Sequence, residues 1–281
     1  MSVYKSFAVV GGGAIGLPIV NALAAKNVAV ILLSRPGSSQ KTVPSGVQII
    51  QVDLTDAAAV AAVFKEHKVD VVLSTVTTTA TAAQKSLVDA AKLAAIKLFL
   101  PSEYGFVTEG HTVGHLAAKD HIAAHLKSAG IPSTRIYTGL FIEFIPWLVD
   151  YSSGSRIKVI GKGEAPLSVT SIADIAGFVA HILTTLPPSE LENRTLRLEG
   201  ERSSLNDLAV QLKTSVERVD SIGGEEGELK TAVQLGIESG GGSTGWNVVN
   251  KVEGTGSNAA GSGNALWPGH QWQSIKEVHK V

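Results

Sequence analysis

A doubly wound α/β fold built on a parallel sheet, with a smaller α/β region after it, is what this 281-residue sequence predicts, and three observations carry the prediction. The chain opens with a short apolar strand, Phe7–Val10, a glycine-rich turn and an apolar helical run from Leu17 to Ala25. Four more apolar runs follow, Val28–Leu33, Val47–Val52, Val69–Ser74 and Ile96–Leu100, with helical stretches between them. Val28–Leu33 is continuously apolar and β-branched rather than alternating, as a strand buried on both faces of a parallel sheet is. Five such strands joined by right-handed crossovers give a doubly wound sheet.

The turn reads Gly11-x-Gly13-x-x-Gly16 between strand and helix, the pattern of a dinucleotide-binding βαβ unit. Gly11 permits the tight exit from the strand, Gly13 removes a Cβ where a pyrophosphate would approach, and Gly16 lets the helix pack close. The unpaired N–H groups and positive dipole end of that helix would face the phosphates. Pro18 suits a first helical turn. Gly11, Gly13, Ala14, Ile15 and Gly16 are therefore the first cofactor-contact candidates.

The second strand ends in Ser34-Arg35-Pro36-Gly37. An NAD site carries Asp or Glu about 20 residues past the glycines to bond the ribose 2′-hydroxyl, whereas an Arg accommodates a 2′-phosphate. Ser34, Arg35 and the later Lys41 thus predict NADPH (NADP+) rather than NADH. The third strand ends in Asp53-Leu54-Thr55-Asp56, and Asp56 or Thr55 caps an Ala-rich helix running to about His67. Asp53 has two readings, a contact to the adenine side of a dinucleotide or a member of the turn. Leu54 goes with it. Beyond Val69–Ser74, the hydroxyl-rich loop Thr75-Val76-Thr77-Thr78-Thr79 is expected to face the cofactor. A helix from about Thr81 to Ala95 leads to Ile96–Leu100, whose end Pro101-Ser102-Glu103-Tyr104-Gly105 is a further candidate site segment.

A helix from about Gly114 to Ala129, a sixth strand at Pro132–Tyr137 and the apolar segment Thr138–Trp147 complete the first domain, 1–150. That segment reads either as a substrate wall or as a core helix. Beyond Asp150 the pattern loosens into a lid or substrate region, 151–281, interleaved with the first. Expected there are strands at Arg156–Ile160, Leu167–Thr170 and Thr195–Glu199, and helices at Ser171–Leu186, Leu205–Val216 and Glu225–Ile237. The Gly- and Ser-rich tail from Ser239 to Gly263 reads as mobile or ligand-closing, yet Trp246 and Trp267 argue that it is docked.

Composition narrows the function. With 24 basic against 25 acidic residues and a net charge of -1, bulk electrostatics point to neither nucleic acid nor an anionic membrane. Cysteine is absent, which excludes disulfides and thiolate catalysis. No apolar run reaches the roughly 18 residues that span a bilayer, and the first strand starts too early for a signal peptide. A cytoplasmic protein, monomer or homodimer, is expected. His111, His115, His121 and His125 invite a metal reading, but no carboxylate joins them at ligand spacing, so no metal is expected.

The glycine turn, Ser34-Arg35-Pro36, Asp53-Leu54, the run Phe99-Leu100-Pro101-Ser102-Glu103-Tyr104-Gly105, the isolated Lys119 and Gly130-Ile131-Pro132-Ser133-Thr134 together resemble the NmrA-like and isoflavone reductase-like proteins, atypical relatives of the short-chain dehydrogenases. The resemblance implies a Rossmann NADPH-binding domain with a smaller substrate domain. It also implies that Lys119 is the general acid or base, since it matches the lysine in the helix after the reductases' Pro-Ser-Glu-Phe-Gly. The Tyr-x-x-x-Lys pair of ordinary short-chain dehydrogenases is missing, and His115 stands four residues before Lys119 on the same helix face. A lysine neutral near pH 7 lies well below its usual value of about 10.4, at a cost of about 4 kcal/mol. Burial beside the nicotinamide and an aromatic substrate could supply that. The expectation is a reductase of a small aromatic or apolar metabolite, with Tyr104, His115, Gly139, Phe141 and Trp147 shaping the pocket. The alternative is a dinucleotide-binding redox regulator, a branch that as a rule lacks the lysine.

Overall fold

The computed structural model describes residues 4–39, 41–77, 80–152 and 155–281, so Thr78 and Thr79 of the hydroxyl-rich loop lie outside the described residues. The chain divides into two compact units that interleave: the first holds Met1–Glu103, Thr108–Ile136 and Ile175–Leu196, the second Tyr104–Val107, Tyr137–Asp174 and Arg197–Val281.

In the first unit the elements run β1 (Ser6–Val10), α1 (Gly16–Ala24), β2 (Ala29–Ser34), β3 (Gln48–Gln51), α2 (Ala57–Glu66), β4 (Val71–Ser74), α3 (Thr81–Leu93), β5 (Leu98–Leu100), α4 (Gly114–Ala129) and β6 (Thr134–Tyr137), the last ending in the other unit. The first five strands form one sheet in the order β3-β2-β1-β4-β5, every neighbouring pair parallel. Strand order reverses at β1, so the glycine turn after it sits at the switch point where open α/β sheets bind ligands. The expected sixth strand does not extend this sheet. A bridge between Phe99 and Ser133 joins it to β5, and its strand pairing is with β10 (Arg194–Arg197).

Side-chain alternation sends Ala8, Val10, Ile31, Leu33 and Val72 to one face, where they share a core with Phe64 of α2, Leu87 of α3 and Ile122 and Leu126 of α4. Helix ends follow local chemistry. Asp56 resolves the choice of cap, its carboxylate accepting from the N–H groups of Ala58 and Ala59 at 3.0 Å each. Gly130, at φ +71°, closes α4 in the left-handed conformation.

The second unit contains β7 (Leu140–Phe141), α5 (Ile145–Leu148), β8 (Ile157–Val159), β9 (Leu167–Thr170), the start of α6 (Ile172–Thr185), β11 (Glu201–Ser203), α7 (Leu205–Gln211), β12 (Val216–Arg218), α8 (Gly227–Gly236), the hairpin β13 (Trp246–Asn247) with β14 (Val252–Glu253), and α9 (Ile275–His279). β11 and β7 flank β9, antiparallel and parallel to it, and β12 pairs with β8. The helix expected to reach Val216 stops at Gln211. Lys213 takes a positive φ of 53° and Val216 begins a strand.

The C-terminal tail is packed. Trp267 stacks on His270 with ring centroids 3.6 Å apart, His270 Nε2 lies 2.8 Å from Asp174 Oδ1, and the Gln273 N–H donates to Asp174 Oδ2 at 2.7 Å. Several tail glycines are demanded by contact, since a Cβ on Gly240 would strike the Trp246 ring. Asp56→Ala is expected to lower stability by about 1 kcal/mol, read as a shift in the urea midpoint with an unchanged slope.

Candidate functional site

The glycine turn is held by sequence-distant contacts. The Gly11 N–H donates to the Leu33 carbonyl at 2.9 Å, and Thr75 Oγ1 lies 2.7 Å from the Gly11 carbonyl and 3.0 Å from that of Val10. Gly11 sits at φ +105°, and a Cβ on Gly16 would collide with the Gly11 carbonyl oxygen, so both glycines are required by the fold. Gly13 is different. It has no positive φ, and a Cβ built there meets nothing within 4 Å. Nothing among the described residues requires a glycine at this position, and the space it opens lies at the N-terminus of the nine-residue α1, where Gly13 and Ala14 are exposed while Ile15 turns inward. Bare backbone beside orphan N–H groups fits a phosphate-bearing ligand.

The other nucleotide-side candidates stand at the carboxyl ends of the same strands. Arg35 is exposed at the end of β2, and its guanidinium has no hydrogen-bond or ion-pair partner among the described residues; Ser34 is half-buried beside it. The stem of Lys41 lies against Gly12, with Cγ 3.5 Å from where a Cβ would be. Asp53 forms a local turn, Oδ1 accepting from the Thr55 N–H at 2.9 Å and hydroxyl at 2.7 Å. Those bonds hold its carboxyl below the usual carboxylate range. Leu54 is buried in the core. Thr75 spends its hydroxyl on the turn, and the Val76 carbonyl receives the Ser102 hydroxyl at 2.8 Å.

At the end of β5, Pro101, Ser102 and Glu103 are buried. The Ser102 N–H donates to Gln84 Oε1 at 2.9 Å. Glu103, whose side chain is 1% exposed, accepts from Arg135 Nε at 2.8 Å and from Thr108 Oγ1 at 2.9 Å. Its carbonyl receives Lys119 Nζ at 2.9 Å. Lys119 is thereby drawn from α4 to the carboxyl edge of the sheet, two strands from the glycine turn, a lateral span of about 10 Å. Loss of water pulls the Lys119 pKa below its usual 10.5, and the Glu103 charge pulls it back up. His115, exposed one helical turn earlier, also has a lowered pKa, from partial dehydration and then the charges of Lys119 and His111. His125 turns instead to Asp89, 2.8 Å away. Among the described residues no cluster of three or more His, Asp or Glu could hold a metal ion.

The substrate candidates other than His115 belong to the second unit. Gly139, at φ +66°, is pressed onto the Ser168 carbonyl. Phe141 and Phe144 pair with centroids 5.5 Å apart, Phe144 being 41% exposed, and Trp147 Nε1 donates to Glu226 Oε2 at 2.6 Å. Both readings of the segment hold in part, because Ile142, Ile145 and Leu148 are core while the rings between them are not. Tyr104 has a φ of +23° and a buried hydroxyl without a partner among the described residues, and burial pushes its pKa up. The residues sequence reasoning missed are Arg135, Thr108 and Asp120. Their one signal is an arginine inside the strand Thr134-Arg135-Ile136-Tyr137, where a buried guanidinium needs a carboxylate.

Three comparisons bear on this arrangement. Residues 4–221 match the NmrA-like family. Oxidoreductase aprR of Aspergillus flavus is 30% identical over 236 residues, covering 79% of this chain and 78% of that protein. Among solved structures, the binary complex of leucoanthocyanidin reductase with NADPH from Vitis vinifera superposes with a TM-score of 0.80 at 20% identity over 98% of both chains. NADPH-dependent quinone oxidoreductase QOR2 of Escherichia coli, complexed with NADPH, gives 0.73 at 17% identity, again over 98% of both. The fold is thus that of the Rossmann-type reductases.

Gly13→Ala is expected to leave stability within about 0.5 kcal/mol of wild type, whereas Gly16→Ala destabilises by about 1–3 kcal/mol, both read by chemical denaturation. Lys119 binds its proton less tightly folded than unfolded, so stability rises with pH between its lowered pKa and 10.5. Lys119→Met should gain most in Tm relative to wild type at neutral pH, the gain shrinking as pH climbs toward 10.5.

Proposed function

The chain belongs to the NmrA-like family, and from that premise we propose that it is an NADPH-dependent reductase of the isoflavone reductase-like kind, acting on a small aromatic or otherwise apolar metabolite. One observation carries the reading: the dehydrated Lys119 amine, fixed 2.9 Å from the Glu103 carbonyl, stands on the same sheet edge as a glycine turn whose Gly13 opens space the protein does not need. Gly13, Ala14 and the α1 N-terminus would hold the pyrophosphate, and Arg35 with Lys41 the 2′-phosphate. When bound, NADPH supplies two electrons and a hydrogen to a substrate carbon.

The protein handles the proton. With its pKa brought down toward the working pH, Lys119 Nζ gives a proton to the substrate oxygen or nitrogen that gains charge and regains one from solvent. The Glu103 carbonyl keeps the amine aimed throughout. His115, neutral at pH 7, offers a hydrogen bond rather than a second charge. The substrate class is supported by the half-exposed Phe141, Phe144 and Trp147 of the second unit, which offer aromatic surface suited to a flat apolar molecule.

Calorimetric titration should show NADPH binding more tightly than NADH, Arg35→Ala removing about tenfold or more of that preference, and Gly13→Ala weakening both. Equal affinities in wild type contradict the assignment. In a screen of aromatic ketones, enones and benzylic ethers, NADPH oxidation should fall about 100-fold or more in Lys119→Ala. Wild-type activity should be lost as pH rises through the lowered Lys119 pKa. Tight NADPH binding with no oxidation of any compound would favour the redox-sensing regulator instead.

A further inference from the structure

Arg135 joins everything that places Lys119. Its Nε donates to Glu103 Oε1 at 2.8 Å, and its Nη2 donates to Thr108 Oγ1 at 2.6 Å and lies 2.9 Å from Asp120 Oδ1. Glu103 supplies the carbonyl that receives Lys119 Nζ, and Asp120 is the next residue along α4. One guanidinium therefore grips both the acceptor of the amine and the helical turn that carries it. The guanidinium side chain is 12% exposed and the Glu103 carboxylate 1% exposed, so their charges interact with little screening from water.

We propose that Arg135 is a positioning residue for Lys119, fixing the Glu103 carbonyl and the adjoining turn of α4 while compensating the buried carboxylate of the residue whose carbonyl receives the amine. This rests on Lys119 being the group that handles the proton. A bare Glu103 carboxylate would hold the ammonium form of Lys119, since opposite charge nearby favours the charged state, and the amine would seldom release its proton near neutral pH. With Arg135 spanning Glu103 and Thr108, that pull is offset and dehydration prevails. The other titratable groups near the amine are Asp120, the next residue on α4 and already engaged by the same guanidinium, and His115 one turn earlier, which itself neighbours His111. A His115 whose pKa is lowered adds no opposing charge to the amine near neutral pH.

The test reads the amine itself. The full chain, without cofactor, is treated with acetic anhydride across a pH series, and the acetylation rate of Lys119 is followed by mass spectrometry of its peptide in wild type, R135M, R135K and E103Q. In R135M the reactivity of Lys119 at neutral pH should drop by about tenfold or more, its apparent pKa having risen by at least about one. R135K, which restores a point charge without the fork, should recover part of the loss. E103Q should move the other way, leaving Lys119 more reactive than in wild type. Opposite displacements from the two halves of one pair are not produced by a merely structural role. If R135M does not fold, E103Q decides alone, an unchanged Lys119 overturning the proposal. Wild-type Lys119 titrating at the usual lysine value defeats the underlying reading; a depressed wild-type value that neither variant shifts overturns only the role given to Arg135.

Discussion

Glu103 is the residue on which the rest of the site depends. It ends the run after β5, and its carboxylate and carbonyl point to different partners: Arg135 and Thr108 on one side, Lys119 on the other. A buried carboxylate without a partner is costly enough that the chain must supply one. Supplying it draws β6 and the loop before α4 toward the end of β5. The amine of Lys119, itself poorly hydrated, takes the remaining acceptor. The core beneath, with Phe99 on β5 and Ile122 and Leu126 on α4, gives these elements a rigid base.

The site also explains which costs the fold accepts. A dehydrated lysine is destabilising below its usual pKa, and an exposed Arg35 with no ion-pair partner among the described residues adds nothing to packing. Gly13 gives up helix-compatible side-chain volume for open space. Each is awkward for a protein that only has to fold. Together they suit the proposed reductase, which would grip an anionic ligand and deliver a proton beside it.

Much of this is legible in the sequence because its cause is local. Gly11 and Gly16 are forced by a turn a few residues long, and α4 runs from Gly114 to Ala129 as its pattern predicts. Asp53 reads two ways because the same carboxylate can serve a turn or a ligand, and in the structure Thr55 occupies one of its oxygens. What stays hidden depends on partners far apart in the chain. Arg135 meets Glu103 across 32 positions, and nothing in either neighbourhood names the other. The glycine-rich tail misleads for a different reason: its composition matches a mobile linker, yet Gly240 and Gly263 are small because Trp246 and Arg197 lie against them. The terminal helix carries a local signal, the capping box of Ser274 and Glu277, in a segment too short for hydrophobic periodicity to show.

The proposed reductase requires one juxtaposition, a proton-bearing amine beside the reactive end of a dinucleotide held at Gly13. A crystal structure of the chain grown with NADPH tests it most directly. The predicted result is electron density with the pyrophosphate over Gly13 and Ala14, the 2′-phosphate at Arg35, and the nicotinamide ring alongside the Lys119 amine. Density that places the dinucleotide elsewhere, or an amine turned to bulk water away from the ring, would contradict it.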